Sequence, residues 1–185
     1  MTSRRTFTRN LSHAAAAVWL TARWEQVEAA FASPEAPLSV LTAAEAADLE
    51  AIAGQLIPTD DTPGAREAGA VVFIDRALGT FAATQLGAIR DGLTRLRDRV
   101  AKKRAGSSFA ALDPKAQLAL LKQIEKDDRH FFQVVRTATV MAMFGNPSRG
   151  GNRGKVGWRL LEFEDRFFWQ PPFGDYDRPE SPGGQ

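Results

Sequence analysis

Apolar positions recur at helical spacing through most of the chain. Ala46, Leu49, Ile52, Ala53, Leu56 and Ile57 form a stripe at steps of three and four, opened by Thr42-x-x-Glu45 and closed by Pro58. The Thr42 hydroxyl can accept from the Glu45 N–H while the carboxylate returns to the Thr42 N–H, a capping box. Pro58 lacks the N–H that a helix needs to continue. A second helix is predicted from Pro63 or Ala65 to Leu78, carrying Val71, Val72, Phe73, Ile74 and Leu78. Gly79 and Thr80 separate it from a long third helix, in which Leu86, Ile89, Leu93, Leu96 and Val100 make the narrow stripe of helix-on-helix packing. Asp113-Pro114 is an N-cap and first-turn pair for a fourth, with Leu118, Leu121 and Ile124 expected inward. Between residues 131 and 144 only Gln133, Arg136, Thr137 and Thr139 are polar, so a fifth helix, apolar almost all round, is expected to run through the core. A charge there is costly unless paired, so Arg136 is expected to meet a carboxylate from another helix or a partner chain. A short apolar element over residues 158–163 follows. The pattern predicts an all-α fold: an irregular bundle of about five to six helices, with a Gly-rich loop and an extended aromatic C-terminal tail.

That loop covers residues 145–158, Gly145-Asn146-Pro147-Ser148-Arg149-Gly150-Gly151-Asn152-Arg153-Gly154-Lys155-Val156-Gly157-Trp158. Five glycines, two asparagines and a proline cannot continue the regular structure on either side. It reads as a loop of fixed shape rather than a linker, because a free linker has no use for the indole of Trp158. The tail after it, Arg166-Phe167-Phe168-Trp169-Gln170-Pro171-Pro172-Phe173-Gly174-Asp175-Tyr176, either covers the protein's own core or offers an apolar patch to another protein. At the other end Arg4, Arg5 and Phe7 precede Leu11 and a small apolar run, a pattern resembling a twin-arginine export signal. The expected organisation is a signal-like segment over 1–32, which is either cleaved or retained as a helix, a linker over 33–40, one helical domain over 41–176 and a disordered tail over 177–185.

Composition narrows the chemistry. The chain of 185 residues has no cysteine and only His13 and His130, which removes disulfides, thiolate metal sites and cysteine nucleophiles. Asp127-x-x-His130 has the one-turn spacing of a shared metal, but a di-iron bundle needs a second such pair and the sequence has none. A helix-start hydrogen bond is the preferred reading. Asp60 and Asp61 are read as caps in a turn rather than cation ligands. The formal charge is only +2, yet residues 90–104 carry seven bases against two acids, and residues 42–61 five acids and no base. These are either solvated helix faces or two ends of a dipolar docking surface.

Several stretches together resemble the gluconate 2-dehydrogenase subunit 3 family, small subunits of flavin-dependent sugar dehydrogenase complexes. They are the twin-arginine start, Leu56-Ile57-Pro58-Thr59-Asp60, Pro63-Gly64-Ala65, Ala68-Gly69, Phe73-Ile74-Asp75 and, most specifically, Gly150-Gly151-Asn152 through Gly157-Trp158. After the Trp the chain departs from the family's usual Gly-Phe/Tyr-Pro-Gly continuation, and it looks more like the small subunits that accompany glycoside 3-dehydrogenases. The resemblance implies a non-catalytic accessory subunit that binds no cofactor itself. Its expected partner is a large FAD-dependent flavoprotein of the glucose-methanol-choline oxidoreductase type, in some complexes with a cytochrome c subunit, exported folded to the periplasm by the twin-arginine route. Asn146, Pro147, Arg149, Gly150, Gly151, Asn152, Trp158, Phe168, Trp169, Pro172, Phe173 and Tyr176 are the expected partner interface. The alternative is a stand-alone basic module binding an anion or nucleic acid through Arg149, Arg153, Lys155 and the basic helix.

Overall fold

The structure, a computed structural model, describes residues 37–165. The signal-like residues Arg4, Arg5 and Phe7, and the tail residues Phe168, Trp169, Pro172, Phe173 and Tyr176, lie outside them. Among the described residues there are six α-helices and no strand: α1 (Ala43–Leu56), α2 (Ala70–Leu78), α3 (Leu86–Lys103), α4 (Pro114–Asp127), α5 (Arg129–Phe144) and α6 (Val156–Leu160). Short 3-10 turns at Ala83–Gln85, Pro147–Arg149 and Arg153–Lys155 lie between them.

Local chemistry sets most boundaries as the sequence predicts. The capping box forms, with Glu45 N–H donating to Thr42 Oγ1 (3.2 Å) and Thr42 N–H to Glu45 Oε2 (2.8 Å). Asp113 caps α4 by accepting from the N–H groups of Lys115 (3.1 Å) and Ala116 (3.0 Å). Asp60 closes its turn by accepting from both the N–H (2.9 Å) and the hydroxyl (3.0 Å) of Thr62.

Three expectations are corrected. The second helix begins at Ala70, not at 63 or 65, because Gly69 stands in the left-handed region (φ 72) and residues before it close separate turns. On α4 the buried side chains are Gln117, Leu120, Leu121 and Ile124, while Leu118 is exposed. Gln117 occupies the inward position because its amide donates to the Phe109 carbonyl (3.2 Å) and accepts from Gln55 (3.0 Å). Finally, α5 is not enclosed all round. Phe131, Val135, Thr139, Ala142 and Met143 are buried, whereas Val140 and Met141 are exposed and Arg136 sits on the solvent side, where water removes the need for a carboxylate.

Even so, α5 is the central element, packed against α1, α2, α3, α4 and α6. Its contact with α3 depends on Gly92, where any Cβ would overlap the Phe131 ring. The Thr139 hydroxyl donates to the Val135 carbonyl (2.8 Å), which satisfies a buried polar group within the helix itself. Around this axis Leu49, Ile52, Ile74, Ile89, Leu93, Leu96, Phe109 and Ile124 complete the core.

Candidate functional site: a locked glycine loop and an apolar groove

The loop after α5 is folded tightly onto the helix that feeds it. Asn146 Oδ1 accepts from the Ser148 N–H (3.0 Å) and starts the first 3-10 turn. Gly150 then takes a positive φ of 88, and its open side is filled by the Arg76 guanidinium from α2. Burial, followed by the neighbouring Arg153, holds that guanidinium below its ordinary pKa.

Asn152 is the centre of the loop. It is fully buried at φ 45, a conformation Asn tolerates better than most residues. Its N–H donates to the Ala142 carbonyl (2.6 Å), its Nδ2 to the Gly145 carbonyl (2.9 Å), and its Oδ1 accepts from the Gly157 N–H (2.8 Å). These bonds tie the orphan carbonyls at the end of α5 to the start of α6. Gly151 and Gly157 lie against the Ala142 and Met143 carbonyls so closely that no Cβ fits. Trp158 completes the lock, its Nε1 donating to the Phe144 carbonyl (2.8 Å) and its ring meeting Phe163 edge-on at 5.1 Å. Lys155 pairs with Asp165 (2.7 Å).

The predicted interface residues thus divide. Gly150, Gly151 and Asn152 are buried and serve the chain's own α5–α6 junction, Trp158 and Pro147 are half-buried, and Asn146 and Arg149 are exposed. Beside them the chain holds out Leu160, Leu161 and Phe163, which the sequence reading gave as part of a short apolar element and not as interface, with Leu161 60% exposed. A residue quoted only as part of a motif, Asp75, also has a defined role. Its buried carboxylate accepts from the N–H groups of Ser39 (2.8 Å), Val40 (2.9 Å) and Leu41 (2.8 Å) and from the Ser39 hydroxyl (3.0 Å). Burial pushes this carboxyl up, but the four donors outweigh it and hold the pKa below the ordinary value.

A second feature is an open apolar groove of about 300 Å³ between α2 and α5. Phe73, Ala77, Phe81, Val134, Ala138 and Met141 supply its walls, and Gln85, His130, Gln133 and Thr137 its polar lining. It contains no lysine or arginine. His130 stands at its mouth. Asp127 pairs instead with Arg99 (3.0 Å), and no group of three or more metal-ligating side chains occurs among the described residues.

The basic helix is largely answered within the chain. Arg90 pairs with Glu45 (3.1 Å), Arg97 with Asp48 (3.1 Å) and Arg95 with Asp128 (2.7 Å). The Arg95 hydrogen bond, against a smaller opposing effect of burial, lowers the Asp128 pKa. The acid-rich and base-rich segments of the sequence therefore face each other across α1 and α3.

A family model described as gluconate 2-dehydrogenase subunit 3 matches residues 43–164. No curated protein and no solved structure gives a significant match.

Proposed function

The chain belongs to the gluconate 2-dehydrogenase subunit 3 family, and from that premise we propose that it is the non-catalytic accessory subunit of a periplasmic FAD-dependent sugar or glycoside dehydrogenase. The family's name makes it one subunit of a dehydrogenase complex. In the reading proposed, the flavin belongs to a large glucose-methanol-choline-type partner, with a cytochrome c subunit as a further component in some complexes, and supplies hydride abstraction from a sugar carbon. This chain's contribution is to bind that partner and carry it, already folded around its flavin, through the twin-arginine route marked by Arg4 and Arg5. Glycoside 3-dehydrogenation is the preferred activity of the complex, on the resemblance of the sequence after Trp158.

The observation that carries the binding role is the locked loop. Asn152, Gly157 and Trp158 fix the chain where Leu160, Leu161 and Phe163 project into solvent, beside Asn146 and Arg149. A rigid apolar projection has little conformational entropy left to lose on docking. The alternative of a stand-alone anion- or nucleic-acid-binding module is weakened, because Arg90, Arg95, Arg97 and Arg99 are already ion-paired within the chain.

Co-expression tests the reading. The flavoprotein produced with this chain is expected to be soluble, yellow and exported, and to co-purify with it. A flavoprotein equally soluble, flavin-loaded and exported alone overturns the escort role. Lys substitution of Arg4 and Arg5 together is expected to retain both chains in the cytoplasm, and undiminished export overturns the signal assignment.

A further inference from the structure

The groove between α2 and α5 leaves apolar side chains open in the free chain: Phe81 is 59% and Met141 44% exposed. Three features of the same chain suit one occupant. First, the point of departure is at the right end. Trp158 is fixed to the last turn of α5, Phe163 packs on Trp158, and Lys155 holds Asp165, so residue 166 leaves from the end of α5 on which Met141 lies. Second, the length is sufficient. From Met141 to His130 the groove follows α5 for roughly 16 Å at a helical rise of about 1.5 Å per residue, and residues 168–175 span roughly 22 Å at about 3.1 Å per residue in the extended form that Pro171-Pro172 favours. Third, the chemistry matches. The groove lining carries no carboxylate, lysine or arginine, and the stretch Phe167-Phe168-Trp169-Gln170-Pro171-Pro172-Phe173 carries no charge. Beyond it Asp175 would fall where Arg129 and His130 stand exposed at the start of α5. The N-terminal segment suits the groove less well. Residues 39–41 are drawn aside by Asp75 and Arg90, and the segment's aromatic residues Trp19, Trp24 and Phe31 are interleaved with the charges Arg23, Glu25 and Glu28, which the uncharged groove lining does not answer.

We propose that residues 166–176 lie in this groove in the free subunit, antiparallel to α5, so that the aromatic tail closes the protein's own open face. The proposal is independent of the identity of the partner.

The absence of native cysteine makes the test direct. In the full-length protein, Thr137→Cys is combined with Gln170→Cys, or with Ala29→Cys as the N-terminal counterpart, and each is oxidised gently at low concentration. Gly174→Cys partnered with Gln133→Cys allows for a shift in register. An intramolecular disulfide from at least one tail pair, faster than from Ala29→Cys, is the expected result. Phe81→Glu is expected to slow that disulfide about tenfold, the equivalent of one lost apolar anchor. Preferential linkage through Ala29→Cys assigns the groove to the N-terminal segment and overturns the proposal. Disulfide-linked dimers assign it to a second copy, and no linkage from any tail pair leaves it for a partner protein; either result also overturns it. Failure of the co-expression experiment above leaves this outcome untouched, because only the free chain is read.

Discussion

At the scale of single residues, the loop turns on whether a side chain has room. Gly157 and Gly87 make a matched pair. A Cβ on Gly157 would overlap the Met143 carbonyl, while one on Gly87 in α3 meets nothing within 4 Å. Gly157→Ala is therefore expected to cost about 3 kcal/mol, as overpacking against backbone does. Gly87→Ala should stabilise by about 0.5–1 kcal/mol through helix propensity. Urea unfolding of the two variants checks both signs, and equal effects would show that the loop yields. Asn152→Ala removes the side-chain bonds to Gly145 and Gly157 from a fully buried position and strands their partners. Its expected cost is about 2–4 kcal/mol, read in the same experiment.

At the scale of elements, Asp75 fastens the segment before α1 to the side of α2. Because its folded pKa is lowered from the ordinary 3.8, its stabilisation is present above that value and lost as pH falls through the lowered one. Glu45, whose burial raises its pKa but whose Thr42 and Arg90 partners lower it further, and Asp128, lowered chiefly by Arg95, act in the same direction. Thermal stability should thus drop on acidification below about pH 4. Asp75→Asn is expected to cost about 1–3 kcal/mol near neutrality, and its deficit should shrink as the wild-type carboxylate is protonated. A pH-independent deficit would mean that shape rather than charge holds the segment.

The same elements show what the sequence could reveal. Caps at Thr42 and Asp113 involve partners within three residues, so spacing alone was enough to locate them. The stripe of α3 was equally legible, since Ile89, Leu93, Leu96 and Val100 all face one core. The start of α2 was not: the left-handed turn at Gly69 accompanies the Arg153 side chain that closes over it from more than eighty residues away. Nor was the inward Gln117, whose partners Gln55 and Phe109 belong to other parts of the fold. For α5, composition indicated apolarity all round, but which side would remain open is decided by α2 and the turn at Phe81. In the loop, the glycine content correctly announced close approach; that the approached surface is the chain's own α5 depends on tertiary contacts.

At the scale of the whole molecule, charge and apolar surface are arranged differently. Acids of α1 and the α4–α5 junction neutralise much of α3, so that side offers little net field for steering a polyanion. Apart from Leu118 and Val140, the large exposed apolar groups among the described residues occur at the groove and around the end of α6. These two apolar sites make separable predictions. Leu161 is 60% exposed at the end of the locked loop, so Leu161→Glu should change folding stability by no more than about 0.5 kcal/mol. If the turn is the flavoprotein's docking point, the same substitution should weaken co-purification of the two subunits by at least about tenfold, roughly 1.4 kcal/mol. Phe81→Glu, in the groove, should leave the complex intact while releasing the tail from its seat. Measuring both variants by pull-down against the flavoprotein and by cross-linking of the free chain gives a crossed result. Loss of the complex in Phe81→Glu but not in Leu161→Glu would reverse the assignment, making the groove the partner's site and the turn an ordinary exposed surface.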